Sequence, residues 1–152
     1  MLIDTLKTLF DRDLAQLRRE IEAYRDEANL WKKHGAIANP AGNLCLHLVG
    51  NLNAFVGAVF GETGYVRDRE AEFSGTDVPR ATLLALIDQT REVLPAALER
   101  VTPAQLAAVY PIKVFSRETS SEYMLVHLAT HLAYHLGQVN YHRRLLDQTF
   151  EK

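Results

Sequence analysis

The stretch His127-Leu-Ala-Thr-His131-Leu-Ala-Tyr-His135-Leu-Gly-Gln138 sets three imidazoles four residues apart, and His47 stands in a second apolar stretch. Neutral imidazole suits zinc, nickel, copper and ferrous iron alike, so histidines on the inner faces of two helices can hold a divalent ion. On a helix, residues four apart differ by about 40° in azimuth and about 6 Å along the axis. His131 and His135 can therefore point at one ion, and so can His127 and His131. All three cannot do so comfortably, because His127 and His135 stand about 12 Å apart along the axis. Either pair needs a ligand from another helix, and His47 is the available candidate. Asp and Glu are scarce near it, and Cys45 lies two residues away on a different face. Three imidazoles leave a coordination position open, the pattern of catalytic rather than structural zinc sites. A ligating ring donates its other N–H to an outer acceptor; Asn43, Asn51, Tyr134 and Gln138 are polar candidates for that role or for holding water. The plain alternative treats the histidines as hydrogen-bonded core residues. His34, in a loop, and His142, flanked by Arg143 and Arg144, read as solvated.

Four helices are needed to position these groups. Leu2, Ile3, Leu6, Leu9, Phe10, Leu14, Leu17, Ile21 and Tyr24 recur at three- and four-residue intervals with charges between them, which predicts an amphipathic first helix. Asn39 as N-cap and Pro40 at the first helical position open the second, which runs to about Phe60. Its Gly42, Gly50, Ala54 and Gly57 allow close packing. From Gly61 to Gly75 the turn residues and charges predict a structured loop. Asp77 is the expected cap of the third helix, which Pro95 should kink or split. Thr102-Pro103 begins a short helical turn, and Ile112-Lys113-Val114-Phe115 reads as extended. Thr119-Ser120-Ser121-Glu122 reads as a capping box for a fourth helix that reaches about Asp147. The expectation is an all-α fold, a four-helix bundle with long loops, as a single domain over residues 1–152.

A chain of 152 residues fits one core. Its net charge of -2 gives no reason to expect nucleic acid or an anionic membrane as partner. No apolar run suggests the roughly 18 residues of a membrane span, and the start Met1-Leu2-Ile3-Asp4 lacks the basic and apolar segments of a secretory signal. With one cysteine, Cys45, no intrachain disulfide can form. A cytoplasmic domain is the expectation. Cys45 itself reads as a small buried hydrophobe.

The run Asn39-Pro40-Ala41-Gly42-Asn43-Leu44-Cys45-Leu46-His47-Leu48-Val49-Gly50-Asn51, together with His131-Leu-Ala-Tyr-His135-Leu-Gly137-Gln138, resembles the DinB-like superfamily. Those are bacterial four-helix bundles related to the YfiT-like metal-dependent hydrolases. The resemblance covers nearly the whole chain, including Leu30-Trp31 and Tyr141-His142-Arg143. It implies a divalent metal held by His47, His131 and His135, with His127 relegated to a neighbouring position. Zinc or nickel leads the candidates, followed by iron or manganese. The resemblance also implies a homodimer, and its characterised relatives include bacillithiol S-transferases and mycothiol-dependent isomerases.

The expected function is a metal-dependent enzyme, a thiol S-transferase or hydrolase acting on a small molecule, with a low-molecular-weight thiol as a candidate co-substrate. No general base is assured; His127 and Tyr123 are the candidates. Arg67, Arg69, Lys113 and Arg117, in the two long loops, could hold an anionic substrate or pair with neighbouring carboxylates. The alternative function is a non-catalytic metal- or ligand-binding stress-response module.

Overall fold

The computed structural model describes residues 1–148, and their regular structure is helical. The long helices are α1 (Leu2–Glu22), α2 (Ala41–Leu52), α5 (Arg80–Glu99) and α7 (Ser121–Leu146). The short ones are α3 (Val59–Gly61), α4 (Arg69–Ser74) and α6 (Pro103–Ala107). Among the described residues the one β feature is an isolated bridge between Val109 and Ser120, so the segment Ile112–Phe115 joins no sheet. α1 packs against α5 and α7, and α2 packs against the same two helices. The apolar repeat of α1 explains its place: Leu6, Phe10, Leu14, Leu17 and Ile21 are all buried. They join Leu48, Leu52, Leu83, Ile87, Leu94, Leu128 and Leu132 in one core, each fully buried side chain contributing about 1.5–3 kcal/mol.

α2 begins one residue later than its sequence suggests, with Pro40 as the cap residue and Ala41 the first in the helix. It continues through a widened π turn, Asn53–Ala58, into α3. At the start of the π turn Asn53 donates Nδ2 to the Val49 carbonyl, which also accepts the Asn53 amide, and to Thr90 Oγ1, each side-chain bond at 2.8 Å. Within the turn at Gly57 and beyond it at Gly61 α5 comes close, because a Cβ there would lie 3.0 Å from Val93 or Ala97. The stretch Ala41–Gly61 is, against expectation, long and apolar enough by composition to cross a membrane. Its composition follows from packing: most of it lies inside the helical assembly, where Asn43, His47 and Asn51 are also buried.

Two further helix starts differ from expectation. Pro79 rather than Asp77 precedes α5, Asp77 having a left-handed φ of 54°. The helix then runs unbroken through Pro95, held by buried Leu94, Ala97 and Leu98. α7 is capped by Ser120, whose hydroxyl accepts from the Tyr123 amide. The box expected at Thr119 does not form because the Thr119 carbonyl accepts from Tyr110 and the Ser121 amide donates to Ala108.

The connection from α1 to α2 is pinned to the end of α7. His142, expected in solvent, is buried. Its Nε2–H donates to the Lys32 carbonyl at 2.8 Å and its Nδ1 accepts from the Tyr24 hydroxyl at 2.7 Å. The flanking arginines turn away from it, Arg143 to Glu20 and Arg144 over the Tyr141 ring. Asp147 adds a second anchor by accepting from the amides of Arg25 and Asp26 and from Asn29 Nδ2.

Candidate metal centre

His47 comes from the buried side of α2, and His131 and His135 come from successive turns of α7. His47 Nε2 and His135 Nε2 lie 3.2 and 3.1 Å from His131 Nε2, and the three ligand atoms all fall within 4.8 Å of one another. A tetrahedral zinc ion with nitrogens at about 2.0–2.1 Å separates them by about 3.3 Å, so the spacing suits ligation. The His131 and His135 rings meet at 85°, and those of His47 and His135 at 88°. The nitrogens therefore converge at their edges while the rings avoid stacking.

Hydrogen bonds on the far side of two rings set their tautomers. His47 Nδ1 lies 3.1 Å from Glu72 Oε1, and His135 Nδ1 lies 2.6 Å from Gln138 Oε1. Arg67 Nη2 also stands 3.2 Å from His47 Nδ1, but it donates to Glu72 Oε1 at the shorter 2.7 Å. A carboxylate and an amide oxygen only accept, so both rings carry their proton on Nδ1 and present bare Nε2 lone pairs inward. Those lone pairs face the third imidazole, and a neutral His131 has at most one Nε2–H to offer the two of them, whereas a cation would engage all three nitrogens. A proton is a poor occupant at neutral pH: burial, then the neighbouring His135 and His47, push the His131 pKa down to about 3. His47 is also held below its ordinary value, mainly by burial and against the pull of Glu72. The donor set fits a divalent ion. His131 differs from its neighbours in that its buried Nδ1 has no hydrogen-bond partner among the described residues.

Glu72 is the functional residue that sequence reasoning missed. It is 6% exposed and stands on α4, the short helix inside the loop expected between Gly61 and Gly75. Asp68 caps that helix by accepting from the Ala71 amide at 3.0 Å. Arg67 grips the carboxylate with both ends of its fork, Nε to Oε2 at 2.8 Å and Nη2 to Oε1 at 2.7 Å. Gly50 supplies the room, since any Cβ there would overlap the Glu72 carboxylate. The local signals were the Asp68 cap and Gly75 immediately after the helix. No periodicity in the sequence ties Glu72 to a histidine 25 positions away.

The other residues singled out in the sequence have distinct places. Gln138 orients His135. Asn43 contacts neither ring; its Nδ2 donates to the carbonyls of Glu72 and Gly75 and anchors α4. Asn51 is buried with its Oδ1 unpartnered. Tyr134 is 65% exposed, with its ring 5.2 Å from that of His135. His127 stays outside the converging group, its ring centroid 6.0 Å from that of His131 and its edge against Phe115. Tyr123 is exposed and packs with Phe115 and Arg117. Arg67 turns inward to Glu72, Arg69 lies over Phe73, and Lys113 is exposed. Phe73 in turn covers His47 at 4.9 Å between centroids. Cys45 is fully buried, and burial pushes its thiol up to about 12.

A family model described as the DinB superfamily matches residues 5–139. The chain belongs to the DinB superfamily. The match includes His47, His131 and His135 as well as Arg67, Glu72 and Gln138. Comparison with curated proteins finds no match. The DinB superfamily is metal-binding, and in this member the three-histidine group could hold a divalent ion.

Proposed function

We propose that this DinB-superfamily protein is a divalent-metal-dependent enzyme acting on a small molecule, either as a thiol S-transferase or as a hydrolase. One observation carries the reading. Three imidazole Nε2 atoms converge, and among the described residues the group has no fourth His, Cys, Asp or Glu. An ion held by three protein ligands keeps a position for an exogenous group and can lower that group's pKa toward neutrality. Zinc and nickel are the leading candidates for this all-imidazole set.

The chain's own residues then bind and orient. Glu72 and Gln138 keep the Nδ1 protons of His47 and His135 outward, so both Nε2 lone pairs stay available. Cys45, buried with a raised pKa, is unsuited to act as a nucleophile, so the attacking group comes from water or from a low-molecular-weight thiol. His127, half-buried beside His131, is the nearest candidate for moving a proton, with Tyr123 the weaker one on account of its exposure.

A non-catalytic metal-binding module is the competing reading, favoured by the absence of a hydrogen bond from His127 to the three converging rings among the described residues. Metal analysis of untagged protein, with thiol-conjugation and hydrolysis assays, tests both. About one zinc or nickel per chain is expected, lost in His47→Ala, His131→Ala and His135→Ala. Activity that survives in the triple variant would end the enzyme reading. Metal that raises Tm by mass action while every assay stays silent would favour the module.

A further inference from the structure

A groove of about 490 Å³ runs along α7 beside the metal centre. That volume lies within the range of small-ligand sites, roughly 300–1,000 Å³. His135 belongs to both features: its Nε2 joins the converging nitrogens, and the residue lines the groove together with Gln138. Leu44 of α2, Ile37 of the connection and Leu145 of α7 supply apolar walls.

Charge is what selects an occupant. Among the described residues no Asp, Glu, Lys or Arg lines the groove, so no opposite side-chain charge there compensates a carboxylate, phosphate or ammonium that leaves water. His142 also lines it, but both ring nitrogens are engaged, by Tyr24 and by the Lys32 carbonyl. None of the four loop cations that could have held an anionic group lines the groove: Arg67 pairs with Glu72, Arg69 lies over Phe73, Arg117 lies over Tyr123, and Lys113 is exposed. We propose that the groove receives the uncharged apolar portion, alkyl or aryl, of the small molecule whose reacting end meets the metal centre. The proposal rests on the metal-dependent reading and adds the substrate class to it.

Binding of thiol probes to the zinc-loaded protein tests it. Affinity should rise about fourfold per added methylene from ethanethiol to butanethiol, the gain from burying one such group. Phenylmethanethiol should bind at least about tenfold more tightly than mercaptoacetate, a difference of about 1.4 kcal/mol. Ala38→Trp, on the groove wall and outside the metal ligands, should abolish the dependence on chain length while zinc content and mercaptoacetate binding stay unchanged. Leu145→Asn should weaken phenylmethanethiol binding in the same direction, which keeps the test alive if the tryptophan variant fails to fold. A flat chain-length series, or tighter binding of mercaptoacetate, overturns the proposal. So does a dimer in sedimentation that Leu145→Glu dissociates alongside a flat series, since the groove would then be an interface between copies.

Butylbenzene, which has no metal-binding end, separates failure of the groove from failure of the metal reading. Its binding, lost in Ala38→Trp, supports the groove whether or not zinc is retained. Retained zinc with no butylbenzene binding and a flat thiol series overturns the groove alone.

Discussion

A carboxylate on the far nitrogen of an imidazole strengthens the near nitrogen as a metal ligand, and Glu72 occupies that place behind His47. Glu72→Gln keeps an acceptor but removes the charge, so zinc affinity should fall about 10–100-fold in competition with a chromophoric chelator; unchanged affinity would remove Glu72 from the site. Gly50→Ala should act in the same direction, because the new methyl displaces the carboxylate. Arg67→Met should instead be read in a denaturant melt. It leaves a buried carboxylate without its guanidinium, and breaking such a pair costs about 3–5 kcal/mol. His142 supplies a pH dependence away from the ligands. Burial holds its folded pKa below the ordinary 6.5, against the Lys32 hydrogen bond, so the unfolded chain takes the proton first. Its share of stability is therefore complete above the unfolded value and is lost as pH falls toward the folded one. Tm should decline less steeply from about pH 7 to about pH 5 in His142→Gln than in the wild type, and equal slopes would contradict this. The two sites were unequally legible. Helical spacing alone places His131 and His135 on one side of α7. For His142, Arg143 and Arg144 suggested solvent, yet the buried series Leu128, Leu132, Val139 leads by helical steps of four, seven and three to position 142. Glu72 had no such series, because its contact with His47 crosses between elements.

Elements matter here through what they do to spacing. The π turn lies within one continuous helical stretch, after His47, and holds Gly57, the first of the two glycines that meet α5. Asn53 holds it by bonding both its own helix and Thr90 of α5. Asn53→Ala should cost about 0.5–1.5 kcal/mol in a denaturant melt for each of the two hydrogen bonds it removes; no loss would mean that the turn stands without its side chain. In the sequence this segment reads as helix because its composition is apolar and small throughout, but nothing in residue type marks the wider turn. Helix starts were legible only to within a residue or two for a similar reason. At α7 several adjacent side chains could cap, and the choice of Ser120 over Thr119 follows from a backbone bridge to Tyr110 and Ala108, 9 and 13 positions before the residues they bond. α4 was read as loop because six residues are too few to show a helical repeat.

For the molecule as a whole, the all-helical class was legible because the long helices show in their apolar residues, α1 as a stripe of Leu6, Phe10, Leu14, Leu17 and Ile21 and α2 as a stretch buried nearly all round. The loops were not, since their positions depend on what they meet: Asp68, Arg67 and Glu72 at one connection, Asp147 and His142 at another. That second set of anchors has a further consequence. It fixes the connection at Arg25, Asp26, Asn29 and Lys32, leaving the groove-lining segment 36–39 outside both the anchors and the histidine ligands. Mutation can therefore rewrite that segment without dismantling the ion site or the supports of the connection. A lineage built on this chain could diversify what it accepts through a handful of neighbouring codons, while the reacting centre descends unchanged.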